Sequence, residues 1–141
     1  MLTSAQIERA NRIRAAMDNT IPEIKDKPAA INNAMDMIRP WEPGAFNVDD
    51  VRMYEGIPYK CVQAHDSTGN GTWNPADTPA LWMQYHGTSL ETARAWVQPT
   101  GAHDMYKAGE YMVFTDGKVY KCLTDTSYSP VYHIEAWEAV V

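Results

Sequence analysis

Apolar positions in residues 1–39 recur at helical spacing. Ile7, Ala10, Ile13 and Met17 fall on one face, the mark of an amphipathic helix. Thr3 with Gln6 reads as a capping box, in which each side chain satisfies a backbone N–H at the helix start. Asp18-Asn19-Thr20 and Pro22 predict its end. A second helix is expected from Pro28, a residue suited to a first helical position. Ile31, Met35 and Ile38 share one face of it, and Pro40 stops it. The segment holds no Gly and no aromatic residue. Two helices bury too little surface to stand alone, so their stripes must pack on the rest of the chain or on copies of it. Residues 1–39 are therefore expected to serve oligomerisation or attachment, with a homo-oligomer, a trimer above other states, as the expected assembly.

From residue 40 the pattern changes to short runs of strand formers separated by Gly, Pro, Asn and Asp. The runs repeat. Gly56-Ile57-Pro58-Tyr59-Lys60-Cys61 and Gly117-Lys118-Val119-Tyr120-Lys121-Cys122 share the pattern G-x-x-Y-K-C, 61 residues apart. An acidic residue precedes each Gly (Glu55, Asp116), a hairpin signal that is strongest at Asp-Gly. Opening tryptophans Trp41 and Trp96, and closing tryptophans Trp82 and Trp137, are both 55 apart. The second unit thus has six more residues before its hairpin, near Gln98–Asp104, and six fewer after it. The missing ones correspond to the Asp66–Thr72 loop. The expected fold is mainly β with an N-terminal α-helical segment, and two small antiparallel β modules of short strands in tandem. The modules occupy residues 40–87 and 94–141, the second diverged.

Composition sharpens this picture. Five Trp and eight Tyr stand against two Phe, a bias toward rings that are apolar on the face and polar at the rim. A core filled with large rings and a binding surface both answer to it. The net charge of −6 argues against a nucleic-acid partner. Apolar stretches of only a few residues predict no membrane insertion. The polar start MLTSAQIERANRIR lacks the apolar region of a signal peptide, so action outside a cell is expected to follow lysis or assembly into a particle. Cys61 and Cys122 read as small buried strand residues, with a single bridge between them left open.

This pattern resembles the family 5/12 carbohydrate-binding module, the small chitin- or cellulose-binding domain appended to many bacterial chitinases. Trp41, Gly56, Tyr59, Cys61, His65, Ser67, Pro75, Leu81 and Trp82 match its outline in order. The second unit follows through Trp96, Tyr106, Gly109, Gly117, Tyr120, Cys122, Pro130 and Trp137, without the His and the Leu-Trp pair. The order of parts, and the string Trp-Val-Gln-Pro-Thr-Gly-Ala-His-Asp-Met-Tyr at 96–106, resemble small proteins encoded among prophage tail genes. The resemblance implies a phage tail-associated protein that recognises a cell-surface or polymeric glycan. It would be made in the bacterial cytoplasm, be carried on the virion or set free by lysis, and contact other tail proteins. The alternative is a structural or adaptor component of such a particle, whose modules touch proteins.

Binding of that kind works by stacking. A sugar ring presents an apolar C–H face and a rim of hydroxyls, and a flat indole or phenol covering the face contributes about 1–2 kcal/mol. Several modules multiply the effect through avidity. Trp73, in a Gly-Asn-Gly-Thr-Trp-Asn-Pro loop, is the leading exposed ring. Tyr85 and Tyr54 are expected to extend its platform, and Tyr128 and Tyr132 to replace it in the second unit. His65 is expected as a polar partner, with Asp66, Ser67 and Asn70 beside it. Trp41, Tyr59, Trp82, Trp96, Tyr120 and Trp137 are expected to be structural.

Catalysis is not expected. His65, Asp66 and Ser67 are neighbours in sequence, which point in different directions along a strand or turn. Units of this size have little room for a cleft with two facing carboxylates. His65, His86, His103 and His133 lack the paired spacing of a zinc site, so neither metal nor cofactor is expected.

Overall fold

The computed structural model describes residues 1–140 of the 141-residue chain. Val141, the last residue of the expected second module, lies outside the described residues. The chain divides into two compact units, Met1–Trp82 and Met83–Val141. It is mainly β, with short and mostly antiparallel strands behind N-terminal helices.

Helix α1 (Ser4–Ile24) starts at the expected capping box: Thr3 Oγ1 accepts the Gln6 N–H at 3.1 Å, and Gln6 Oε1 accepts that of Thr3 at 2.8 Å. Its end differs from expectation. The helix runs through Pro22 for 21 residues, about 30 Å. A proline there forfeits one hydrogen bond, to the Asp18 carbonyl, and tertiary contacts offset that loss. Ile21 is buried. The Asp18 carboxylate takes the Arg39 guanidinium at 2.7–3.1 Å and that of Arg14 at 2.8 Å, and Arg14 also donates to the Met37 carbonyl. The Arg39 hydrogen bonds hold Asp18 below the usual carboxylate range. Lys25 reaches Asp49 at 3.5 Å, and Lys60 reaches Asp26 at 3.4 Å, tying the helix end to the β-structure that follows. By contrast, residues 1–13 are exposed throughout.

The second helix, by contrast, is shorter than expected. α2 (Pro28–Asn33) gives way to a 3₁₀ turn, Met35–Met37, entered through an Ala34 N–H to Ile31 carbonyl bond of 3.0 Å. That tighter winding shifts the phase of the apolar stripe. Ile31 and Ile38 are buried, while Met35 is only partly so.

In the first unit, β1 (Ala45–Phe46) pairs with β4 (His65–Asp66), and β2 (Val51–Tyr54) with β3 (Ile57–Cys61), both antiparallel. β5 (Trp82–Gln84), which begins at the unit's last residue, lies beside β3. Pro40 bridges Met53 in parallel sense. The β2–β3 hairpin turns on two residues, Glu55 and Gly56, both at positive φ (49° and 80°), as a type I′ turn requires. Phe46, Tyr59, Cys61 and Trp82 form the core, with Trp41, Tyr54, Ile57 and Leu81 packed against it.

In the second unit, β6 (Arg94–Ala95) pairs with β7 (Tyr111–Val113) in parallel, and β8 (Val119–Cys122) pairs antiparallel with β7 and with β9 (Trp137–Ala139). The β7–β8 turn is one residue longer. Phe114 and Lys118 face each other at 2.9 Å around Thr115-Asp116-Gly117, and Asp116 accepts the Lys118 N–H and the Tyr120 hydroxyl. Tyr106, Met112, Tyr120, Cys122, Ala136 and Trp137 form the core, flanked by Trp96 and Phe114.

The two units use one set of backbone hydrogen bonds. Trp41 N–H donates to the Met53 carbonyl, as Trp96 does to Val113. Cys61 N–H donates to Asp50 while its carbonyl accepts from Asp49. Cys122 does the same with Glu110 and Gly109. Val62 reaches the Leu81 carbonyl, as Leu123 reaches Ala136. Both cysteines are free and buried, and each thiol donates to a carbonyl two residues on, Gln63 at 3.2 Å and Thr124 at 3.1 Å. Burial raises both thiol pKa values, that of Cys122 to about 11. Along this frame, five of the second unit's six extra residues precede Tyr106 and one sits in the hairpin turn.

Candidate functional site

In the first unit the loop between β4 and β5 fixes one ring in the open. Ser67 is buried and joined to Gly44 by its N–H (2.8 Å) and its hydroxyl (3.1 Å). Asn70 caps a 3₁₀ turn, Gly71–Trp73, by accepting the Thr72 N–H at 3.1 Å. Beyond it Asn74 is buried, bonded to Asp77 through both ends of its amide (2.9 and 3.0 Å), and its carbonyl accepts the Thr78 hydroxyl at 2.7 Å. Pro75 is sealed beneath. The indole of Trp73, between these anchors, is 41% exposed.

Tyr54 stands half-buried, edge-on to Trp41 at 5.7 Å and 89°. Burial raises its pKa, and the charges of Glu55 and Asp77 push it further. His65 does not serve as the expected polar partner. It packs tilted on Phe46 (5.6 Å) and edge-on to Trp82 (5.7 Å). Its Nδ1 donates to the Gln63 carbonyl at 2.7 Å, and its Nε2 is sealed from solvent without a partner. Asp66 is taken up by Thr68, Asn70 by its own turn, and Ser67 by Gly44. The side chains of His65, Asp66 and Ser67 make no hydrogen bond to one another.

Tyr85, expected to lengthen the platform, is 4% exposed and offers no ring face. It lies in the second unit, close to a buried layer in which Tyr106 is stacked between His86 (3.7 Å, 7°) and Trp96 (5.0 Å, 12°). Burial raises the Tyr106 pKa to about 12. His86 Nδ1 meets Glu110 at 2.8 Å in that layer. Trp82, Trp137, Tyr59 and Tyr120 are buried, and Trp41 and Trp96 half-buried.

The second unit brings Tyr128 and Tyr132 to one place. They line an open depression of about 570 Å3 with Gln98 and His133, and they are 62% and 84% exposed. Counting back from the closing tryptophans, Tyr128-Ser129-Pro130 occupies the place of Trp73-Asn74-Pro75. In each triplet an exposed ring precedes a buried polar residue and a buried proline. Sequence reasoning missed Gln98 and His133. Gln98 is tied to the segment before His133 by an Nε2 to Ser127 carbonyl bond of 2.8 Å that spans 29 residues. A separate depression between α1 and β2 is lined by the ion pairs Asp18–Arg39 and Lys25–Asp49, together with Asp50 and Arg52. Among the described residues no helix is long and apolar enough to cross a membrane, and no cluster of three metal-ligating side chains occurs.

Residues 40–83 match the model of carbohydrate-binding module family 5/12. This part of the chain is thus similar to a carbohydrate-binding module, and the match takes in Trp41, Tyr54 and Trp73. Among solved structures the chain is similar to a family GH18 chitinase from Chromobacterium violaceum, with 31% identity and a TM-score of 0.32. The alignment covers 43% of this chain and 16% of the chitinase. No curated protein matches.

Proposed function

We propose that this is a non-catalytic carbohydrate-binding protein that holds a polymeric or cell-surface glycan by aromatic stacking. The observation that carries the reading is Trp73. A large indole is left open to water on a loop whose every turn is hydrogen-bonded, inside the stretch that matches the module family. An apolar face held rigid in solvent costs little entropy on binding and excludes water when a sugar face covers it. The test is retention on insoluble chitin, cellulose and peptidoglycan. Trp73→Ala is expected to weaken retention roughly 5- to 30-fold, the equivalent of about 1–2 kcal/mol, with circular dichroism unchanged. Passage of the wild type through all three polymers would refute the reading.

The recurrence of one hydrogen-bond frame in both units supports a tandem of modules, the second diverged. The resemblance of residues 96–106 to prophage tail proteins supports association with a phage tail, and with it a place on the virion or outside the cell after lysis. A second reading, a structural or adaptor component of the particle, is favoured by the N-terminal half of α1, where Ile7 and Ile13 are exposed. Self-association through that face predicts a trimer in light scattering that the double substitution Ile7→Glu, Ile13→Glu reduces to monomer. A monomeric wild type would count against it.

A further inference from the structure

We infer that the depression beside Tyr128 and Tyr132 is a second saccharide subsite, in which Gln98 and His133 read hydroxyl groups. The inference rests on the carbohydrate-binding reading above and names residues that reading does not. The argument begins at Thr126. Its hydroxyl is buried and accepts the Tyr128 N–H at 3.1 Å. Its own proton therefore needs an acceptor, and His133 Nδ1, at 2.9 Å, is the one available among the described residues. A buried hydroxyl proton without an acceptor is costly, so Thr126 donates and His133 is the neutral tautomer with its proton on Nε2. Among the described residues that nitrogen has no hydrogen-bond partner, and the side-chain atoms sealed from solvent without one belong instead to Trp41, His65 and Trp82. It is a donor open to solvent.

Gln98 supplies the complement. Its Nε2 is committed to the Ser127 carbonyl at 2.8 Å and, more loosely, to that of Pro99 at 3.4 Å. Its Oε1 is left as an acceptor. The lining thus offers two flat phenol faces, one neutral acceptor and one neutral donor, and among the described residues no charged side chain. The volume, about 570 Å3, falls within the ordinary range for ligand clefts, about 300–1,000 Å3. An anion or cation finds no counter-charge here, and an apolar protein side chain would leave both polar groups unpaired. A sugar ring has what the lining lacks: an apolar C–H face for a tyrosine, and neighbouring hydroxyls that each donate and accept. Trp137 fixes the floor, its indole N–H donating to the Tyr128 carbonyl at 2.9 Å.

The test is an NMR titration of the full chain with three soluble probes: the hexamers of N-acetylglucosamine and of glucose, and a peptidoglycan glycan strand. At least one is expected to shift the His133 ring and Gln98 amide signals at millimolar concentration. The Trp137 indole signal, as a monitor of folding, should stay in place. Tyr132→Ala, which removes a ring that is 84% exposed, is expected to weaken that response at least fivefold and leave the Trp73 response intact. His133→Gln, which restores a donor, is expected to retain more of it than His133→Ala. If Trp73 responds and the depression does not, this inference is overturned while the carbohydrate-binding reading stands. If neither responds to any probe, both fail.

Discussion

The two units share a frame and differ in what hangs from it. Around each buried thiol the same carbonyls and N–H groups pair, and in each an aromatic ring at the start of the module (Phe46 or Tyr106) meets a closing tryptophan edge-on, at 5.0 and 5.3 Å. The differences are in connections. The first unit spends a long, hydrogen-bonded loop on one exposed indole. The second omits six residues there, presents two phenols, and lengthens the loop before β7 so that Gln98 comes alongside them. The backbone shows the same divergence in detail: the bulge residue at left-handed φ is Asp49 (76°) in one and Gly109 (92°) in the other. A frame held by backbone pairing tolerates such exchange, because its bonds do not depend on the side chains that the loops carry.

The sharpest way to separate the units is to damage one alone. Gly87 is buried, and its carbonyl accepts the Tyr111 N–H at 2.8 Å. A Cβ there would stand 2.3 Å from the Thr92 carbonyl oxygen and 2.7 Å from the Ala93 Cα, both backbone atoms that cannot rotate away. Gly87→Ala is therefore expected to cost about 3 kcal/mol, read as an early unfolding step in denaturation followed by tryptophan fluorescence. Retention through Trp73 should survive it. A single unshifted transition would mean the region yields more easily than its packing implies.

The closing tryptophans give a finer contrast. Trp137 donates its indole N–H to the Tyr128 carbonyl, while the equally buried Trp82 has no partner for its own. Replacing each by phenylalanine removes similar apolar area, but only Trp137→Phe breaks a hydrogen bond and orphans a carbonyl. It should be the more destabilising of the two by about 1 kcal/mol, in urea midpoints measured side by side. Equal losses would erase this difference between the units.

Much of the frame was legible in the chain because it rests on short-range patterns. G-x-x-Y-K-C, the acidic-Gly turns and the paired tryptophans mark strand, hairpin and closure within a few residues. Thr3 and Gln6 likewise announced the helix start. What could not be read depends on partners far away in sequence. Pro22 should have stopped α1, but Asp18 is held by Arg39, 21 residues on. His65 sits in a loop-like string, yet Phe46 and Trp82 close over it. Tyr85 follows a strand end as an exposed ring would, and is buried. Trp73 was marked out by its polar, Gly-rich surroundings. Gln98 and His133 carried no such mark, since a glutamine and a histidine in loops look alike whether they face a groove or empty solvent.

The smallest expected effect concerns the loop that only the second unit has. Burial alone would raise the Asp104 carboxyl. The N–H groups of Thr100 and Gly101, each at 2.9 Å, and the Thr100 hydroxyl reverse this and hold it below its ordinary value of 3.8. His103, 4.0 Å away, adds to the effect only when protonated. A carboxyl whose pKa is lower in the folded chain than in the unfolded one binds protons preferentially in the unfolded state. Its stabilisation is complete above pH 3.8 and is lost as pH falls through the lower, folded value. The stability gap between wild type and Asp104→Asn should therefore be widest near neutrality and narrow only below pH 3.8. The Thr100 and Gly101 amide shifts should titrate together in that same acidic window. Glu42-Pro43-Gly44-Ala45, the shorter counterpart in the first unit, lacks this clamp, so the Gly44 amide should show no such titration. A gap that stayed constant down through the acidic window would mean that the loop is held by packing rather than by the carboxylate.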